Sequence, residues 1–116
     1  MSETNIRRQQ IVAKTYRGIE HIPIDDIYYF LADQKYVTVR HKQGRVLIDE
    51  TLKDLEQEFP DQFIRIHRNA LVAIQYLDGI EIVSSGHYQI RCRDIEERLV
   101  ISRRHLSSLK ERLQKL

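Results

Sequence analysis

The sequence predicts a mostly β domain with one short acidic helix and one amphipathic C-terminal helix. Runs of β-branched and aromatic residues, broken by glycine, proline and polar turns, recur along most of the chain. Two segments instead space large apolar residues by three and four positions, which is typical of a helix. With 116 residues, of which 41% are hydrophobic, the chain can form one compact core, so we expect a single domain.

Most of the strands are expected in hairpins. The segment "YVTVRHKQGRVLI" is two strands around the turn "KQGR", and "YLDGIEIV" pairs across "SSG" with "HYQIRCRDI". The other strand segments are "IVAKTYRGIEHIPI", broken at Gly18 and Pro23, the buried or half-buried "DIYYFLAD", the alternating start of "FIRIHRNALVAI", and "EERLVIS".

The first helix is expected in "ETLKDLEQEFP". Three apolar side chains fall at helical spacing there: Leu52, Leu55 and Phe59. Thr51 can cap the first turn at Asp54, and Pro60 ends the helix. The segment is acidic, so the predicted helix carries a negative surface.

The second helix is expected at the C-terminus, with Ser102 as its N-cap. Its apolar face consists of Leu106, Leu109, Leu113 and Leu116. The helix therefore packs one side on the domain and begins immediately after a serine.

The first residues of this helix carry an unusual charge. Arg103, Arg104 and His105 occupy the positive end of the helix dipole, where acidic residues are favoured and each cation costs a few tenths of a kcal/mol. Free N–H groups, a capping hydroxyl and two guanidinium groups together form a site for an anion. The structural alternative is that the arginines pair with Glu96 and Glu97.

Composition excludes several classes of protein. The single cysteine, Cys92, excludes an internal disulfide and a zinc site of paired thiolates, fits a reducing cytoplasm, and reads as a small strand residue. The longest uncharged stretch is about half of a membrane span, so we expect no membrane segment. Residues 1–10 lack the apolar centre of a signal peptide and are expected to be a polar tail or linker before a domain of residues 11–116.

The net charge of +2 hides an asymmetry along the chain. Residues 49–61 contain six acidic residues and one lysine. Three other windows, residues 34–48, 62–77 and 98–110, contain basic residues and no acid. If these windows converge in space, they create a field suited to a polyanion; the alternative is scattered, solvated surface charge.

The second window contains a cluster suited to reading DNA. In "FIRIHRNAL", strand alternation buries the two isoleucines and directs Arg65 and His67 outward, ahead of a turn at Arg68 and Asn69. Arginine forms paired hydrogen bonds with guanine, and asparagine does so with adenine. The alternative is that the histidine and asparagine satisfy nearby backbone groups.

Several blocks of the sequence together resemble a known family. They are "DDIYYFLADQKYVTVRHKQGRVLIDETLKDLEQEFPDQFIRIHRNALVAI" and "LVISRRHLSSLKERL". In composition and order they resemble the LytTR family, the DNA-binding effector domains of LytR/AlgR-type bacterial response regulators. The resemblance covers roughly residues 12–115.

The resemblance implies a compact stack of small antiparallel sheets with short helices, unlike the helix-turn-helix of many bacterial regulators. It implies that loops and strand ends enter successive major grooves of double-stranded DNA and bend it. Contacts with base edges are implied for Lys35, Tyr36, His67, Arg68, Asn69, Arg103, Arg104 and His105. We expect phosphate contacts from Arg40, Lys42, Arg65, Ser102 and Lys110.

The resemblance also implies a biological setting. It implies a cytoplasmic transcriptional regulator of a two-component system, with no cofactor and no catalytic activity. It further implies binding at tandem repeat sites, a dimer on DNA, and a receiver domain in a longer chain. The acidic helix, from Thr51 to Phe59, is expected to face away from DNA because phosphates repel carboxylates.

Other classes of function fit the sequence less well. The tripeptide "DQK" at residues 33–35, with Asp25 and Asp26 upstream, is a poor match to the acid-x-lysine core of metal-dependent nucleases. The five histidines show no paired spacing typical of a metal site. An RNA- or protein-binding basic β module remains open, with stacking by Tyr28, Tyr29, Tyr36, Tyr76 and Tyr88, although core packing explains most of these rings better.

Overall fold

The computed structural model describes residues 8–114. Within them lie strands β1 (Gln10–Thr15), β2 (Gly18–Pro23), β3 (Ile27–Ala32), β4 (Val37–His41), β5 (Gly44–Ile48), β6 (Phe63–His67), β7 (Ala70–Ala73), β8 (Leu77–Ser84), β9 (His87–Cys92) and β10 (Arg98–Ile101), and helices α1 (Leu52–Glu58) and α2 (Arg103–Gln114). Short 3-10 turns precede β3 and β8. Neither described helix is long and apolar enough to cross a bilayer.

The strands form three antiparallel sheets. β1 and β2 are a separate hairpin, the central sheet has the order β5-β4-β3-β7-β6, and the third sheet has the order β10-β9-β8. The predicted β4–β5 and β8–β9 hairpins are both present. The prediction of a mostly β stack of small antiparallel sheets with two helices is confirmed.

The middle of the central sheet, at β3 and β7, is buried on both faces. Neighbouring residues of β3 point to opposite sides, so Phe30 packs with β1, β2 and α1, whereas Tyr29 packs with the third sheet and α2. Both side chains are almost fully buried, at 0% and 4% exposure. The uninterrupted apolar run in "IYYFLA" therefore reflects a strand covered on two sides.

Both predicted helices and their caps are present. The Thr51 side chain accepts a hydrogen bond from the backbone N–H of Asp54 at 3.1 Å, and α1 ends before Pro60. In α2, Leu109 is fully buried, while Leu106 and Leu113 are partly buried against the same core. The predicted fourth leucine of this face, Leu116, lies outside the described residues.

The described part of the expected tail is attached to α1. Residues 1–7 lie outside the described residues. The Arg8 guanidinium pairs with Glu50 at 2.8 Å and with Glu58, and it lies 5.7 Å from the centre of the Phe59 ring. The Gln9 carbonyl accepts a hydrogen bond from the backbone N–H of Ile24, in the 3-10 turn that precedes β3, at 2.9 Å. Contacts with α1 therefore hold the chain in place at Arg8, two residues before β1 begins.

Cys92 is expected to be unreactive in the folded protein. Its side chain is 3% exposed, and burial raises the pKa of its thiol to about 11, so the reactive thiolate is scarce at neutral pH. Iodoacetamide at pH 8 is expected to modify the urea-denatured chain and to leave the native chain unmodified, as measured by mass spectrometry. Equal modification rates in the two states would contradict this burial.

Candidate nucleic-acid interface

The turns that follow β3 and β6 lie side by side at one end of the central sheet. β3 pairs with β7 so that Leu31 is opposite Ala70, which brings the end of β3 to the turn that precedes β7. The Ala32 backbone N–H donates a hydrogen bond to the Asn69 carbonyl at 2.8 Å. Segments of two acid-free windows, residues 34–36 and 67–69, are therefore neighbours.

The start of α2 lies at the same end. The Ser102 backbone N–H donates to the Ile66 carbonyl at 2.9 Å, so the helix begins beside the end of β6. The third acid-free window thus converges with the other two, as a polyanion site requires. We call the surface formed by residues 33–36, 67–69 and 102–105 the three-loop surface.

The β3–β4 turn presents Lys35 and Tyr36. The Asp33 N–H donates to the Tyr36 carbonyl at 2.9 Å, which closes the turn, and the Asp33 carboxylate accepts from the backbone of Gln34 at 2.7 Å. The Lys35 ammonium lies 5.6 Å from the centre of the Tyr36 ring. Lys35 is exposed, and Tyr36 is 43% exposed, so both side chains are accessible to a ligand.

The β6–β7 turn is braced by Arg65. This guanidinium donates to the Arg68 carbonyl at 2.8 Å and pairs with Glu56 of α1 at 3.1 Å. Its side chain is only 19% exposed. By contrast, Arg68 is exposed and pairs with no carboxylate within residues 8–114. Arg65 thus holds the turn that presents Arg68.

His67 and Asn69 interact with each other across this turn. The His67 Nδ1 atom contacts the Asn69 side-chain oxygen and lies 3.3 Å from the Asn69 backbone nitrogen. Both residues are half-buried. His67 Nε2 and Asn69 Nδ2 make no hydrogen bond within the described part of the chain, so each keeps one polar atom for a ligand.

Ser102 caps α2 through a reciprocal pair of hydrogen bonds. The His105 backbone N–H donates to the Ser102 Oγ at 3.3 Å, and the Oγ lies 2.6 Å from the His105 Nδ1. Burial, together with the positive charges of Arg65 and Arg104, lowers the pKa of His105. Because Ser102 Oγ already accepts the backbone N–H, its hydroxyl can donate a hydrogen bond to Nδ1 of the neutral ring, and the ring hydrogen is then on Nε2 as a donor.

Ser102→Ala is expected to lower the free energy of unfolding by about 1 kcal/mol, because the first turn of α2 loses its capping acceptor. Urea denaturation followed by circular dichroism measures the change. Ser107→Ala, at an exposed position of the same helix, serves as the matched control and should be neutral or slightly stabilising. Equal stabilities of the two variants would contradict the capping role.

Arg103 and Arg104 are exposed and lack acidic partners. The Glu97 carboxylate is occupied by Arg40 and Arg45, each at 2.6 Å. The alternative pairing of the two arginines with the glutamates before β10 is therefore not observed. Among residues 8–114, no carboxylate pairs with either arginine, and the first turn of α2 contains no acidic residue.

The structure does not bring Arg40 and Lys42 to the three-loop surface. Both lie toward the β4–β5 turn, and Lys42 is about 20 Å along the strand from Tyr36 at the usual rise per residue. The Arg40 side chain is 17% exposed and pairs with Glu97. The Lys42 ammonium lies 5.9 Å from the centre of the Tyr76 ring. Arg40 thus joins β4 to the segment before β10.

Lys110 flanks the three-loop surface on α2. It is exposed and lies about 10 Å beyond Arg103 along the helix axis. Its ammonium is 5.4 Å from the centre of the Tyr88 ring. A cation at this distance can reach the backbone of a duplex that contacts the helix N-terminus.

Other chemistries find little support in the described residues. β3 separates Asp25 and Asp26 from Lys35, so the nuclease-like residues are at opposite ends of a strand. No group of three acidic, histidine or cysteine side chains within residues 8–114 is arranged to hold a metal ion. Tyr28 and Tyr29 are core residues, at 5% and 4% exposure, and offer no stacking platform.

Comparison with known proteins identifies the family. The profile of the LytTr DNA-binding domain matches residues 17–114. The chain belongs to the LytTR family. As a LytTR domain it also matches the fold of the LytTr DNA-binding domain of a methyl-accepting/DNA response regulator from Bacillus cereus, with a TM-score of 0.83 at 22% identity over 91% of this chain and 97% of that one.

The LytTR domain is similar to parts of longer bacterial proteins. It is 44% identical over 110 residues to the positive alginate biosynthesis regulatory protein of Pseudomonas aeruginosa, covering 94% of this chain and 44% of that protein. It is 31% identical over 90 residues to an uncharacterized response regulatory protein of Shewanella oneidensis, covering 78% of this chain and 36% of that protein. The domain thus spans less than half of either relative.

Proposed function

We propose that this LytTR domain binds specific sequences of double-stranded DNA and acts as the output domain of a bacterial transcriptional regulator. The observation that carries the proposal is the convergence of three separate segments on the three-loop surface. Two backbone hydrogen bonds connect these segments. The exposed guanidinium groups of Arg68, Arg103 and Arg104 have no carboxylate partner within residues 8–114. Such a surface is incomplete without an anion.

We assign base contacts to residues of all three loops: Lys35, Tyr36, His67, Arg68, Asn69, Arg103, Arg104 and His105. Arg68 and Arg104 are the guanine-reading candidates, because both are exposed and an arginine can form two hydrogen bonds with a guanine edge. The Nε2 hydrogen of His105 and the free amide nitrogen of Asn69 offer additional donors. The two turns and the N-terminus of α2 can enter successive grooves without a helix-turn-helix.

Phosphate contacts are proposed around this surface. Lys110 is the leading candidate because it is exposed and follows the base-reading residues along α2. The remaining candidates named from the sequence are Arg40, Lys42, Arg65 and Ser102. Arg65 supports the proposal chiefly as the brace of Arg68, and Ser102 as the cap of α2. Arg40 and Lys42 would require a duplex that extends beyond the three-loop surface.

The proposal places the domain in a longer, cytoplasmic regulator. The length of the Pseudomonas and Shewanella relatives leaves room for a receiver domain whose phosphorylation controls DNA binding. We further propose that two copies bind tandem repeat sites as a dimer on DNA. No catalytic step is part of this function, and magnesium-dependent nicking of the bound duplex is expected to be absent.

Selection of binding sites from random duplex DNA tests the proposal. The full chain is expected to enrich one motif and to bind it more tightly than a scrambled duplex by several kcal/mol, about 4 or more for a typical specific site. Affinities measured at two salt concentrations separate phosphate contacts from base contacts. Salt-sensitive binding without an enriched sequence would contradict the proposal, and tighter binding to RNA would favour a basic RNA-binding module.

A further inference from the structure

The β8–β9 turn lies beside the first residue of α2. In the third sheet, Ile101 of β10 pairs with Tyr88 of β9. Because the pairing is antiparallel, the chain beyond Ile101 runs alongside the chain that precedes Tyr88. This register brings Arg103 next to Gly86, although 17 residues separate them in sequence. The sequence predicts this turn only as the connection between two strands.

Gly86 contacts the Arg103 guanidinium directly. The Arg103 Nε donates a hydrogen bond to the Gly86 carbonyl at 3.4 Å. A Cβ atom at position 86 would lie 2.9 Å from the Arg103 Nη2 atom, which is closer than real Cβ contacts allow. Gly86 also has a φ of +76°, which favours glycine. The turn therefore favours glycine at this position, and a Cβ atom here would displace the end of the arginine side chain.

This contact leaves the end of the guanidinium group available. The carbonyl uses only the Nε hydrogen, while Nη1 and Nη2 make no hydrogen bond within the described residues. These two nitrogens can donate in parallel to two acceptors on a guanine or on a phosphate. Holding Nε in advance also reduces the rotamer freedom that a long arginine side chain loses on binding.

We propose that Gly86 is a positioning residue for DNA recognition, which holds Arg103 through its carbonyl and leaves the space that the guanidinium occupies. The inference rests on the proposed function, since Arg103 belongs to the three-loop surface. The turn of residues 84–87 thereby becomes a fourth element of the interface, acting through Arg103.

Gly86→Ala tests this role, with Gly18→Ala as the matched control. Gly18 also has a positive φ in a hairpin turn, but nothing lies within 4 Å of its added Cβ atom. Both variants impose a positive φ on alanine, at +76° for position 86 and +120° for position 18, and only Gly86→Ala displaces Arg103. Because the displaced atom is the end of a flexible side chain, folding should be little affected beyond that shared strain.

The expected result is a loss of about tenfold in affinity for the selected duplex in Gly86→Ala, the scale of one base contact, with no such loss in Gly18→Ala. In an Arg103→Ala background, Gly86→Ala is expected to cause no further loss, because its effect passes through the arginine. Equal losses with and without Arg103 would overturn the inference, as would equal affinities of the two glycine variants.

A measurement without DNA separates this inference from the proposed function. In the free protein, the heteronuclear NOE of the Arg103 Nε–Hε group should show an ordered side chain, and Gly86→Ala should make it mobile. An Nε–Hε group that is already mobile in the unchanged chain would overturn the inference. Absence of any sequence preference in the unchanged chain would instead overturn the proposed function.

Discussion

Leu109→Ala is expected to lower the free energy of unfolding by about 2–5 kcal/mol, because it leaves a cavity in the second core. Leu109 is the fully buried residue of α2 and packs in the same cluster as Ile66 of β6 and Ile101 of β10. The contact joins the helix to the two strands that position its first turn. Urea denaturation monitored by circular dichroism measures the loss.

The matched control for this prediction is again Ser107→Ala, an exposed position two residues away on α2. A surface substitution of this kind usually changes stability by no more than about 0.5 kcal/mol. If Leu109→Ala were as stable as Ser107→Ala, α2 would not depend on this core contact, and the position assigned to its N-terminus would lack support.

Arg104→Ala is expected to lose about 1–3 kcal/mol of binding to the selected duplex and much less on a scrambled duplex. Arg104 is exposed, pairs with no carboxylate among residues 8–114, and stands at the start of α2. Its removal is therefore expected to take away the proposed contact with DNA and to leave the folded protein otherwise unchanged. Fluorescence anisotropy with both duplexes measures the difference.

Lys110→Ala is the comparison variant for Arg104→Ala. Loss of a phosphate contact should weaken binding to both duplexes alike and reduce the slope of log affinity against log salt by about 1. Equal losses on both duplexes for Arg104→Ala would show that this arginine contacts phosphate, which contradicts its assignment to a base edge.

The cations at the start of α2 are explained by this account. They oppose the helix dipole by a few tenths of a kcal/mol each, and the Ser102 cap offsets part of that cost. No carboxylate of the described residues neutralises Arg103 or Arg104. A duplex that contacts this end of the helix would supply the missing negative charge.

Local features of the fold are predictable from the sequence. The caps at Thr51 and Ser102 follow from residue types placed next to amphipathic segments, and both are present. The hairpins follow from turn residues between alternating strands. Convergence of the three basic windows follows from the family resemblance, because strand order within a sheet leaves only a weak local signal.

Side-chain partners across the fold are not predictable in the same way. Arg40 pairs with Glu97 over 57 positions, and Arg103 meets Gly86 because of the β9–β10 register. The charge windows show that both arginines lie in basic segments. They do not show which arginine is paired with a residue far away in the sequence. The prediction that Arg65 faces outward is wrong: its side chain is only 19% exposed, because the guanidinium pairs with Glu56 of α1 and braces Arg68.

The most direct test of the central claim is to map the backbone amide shifts of the full chain by NMR as the selected duplex is added. The largest shifts are expected to cluster in residues 33–36, 67–69 and 102–105. The amides of Lys42 and of the exposed acidic face of α1 should change little. Largest shifts on α1 or at the β4–β5 turn, with the three-loop surface unchanged, would contradict the account.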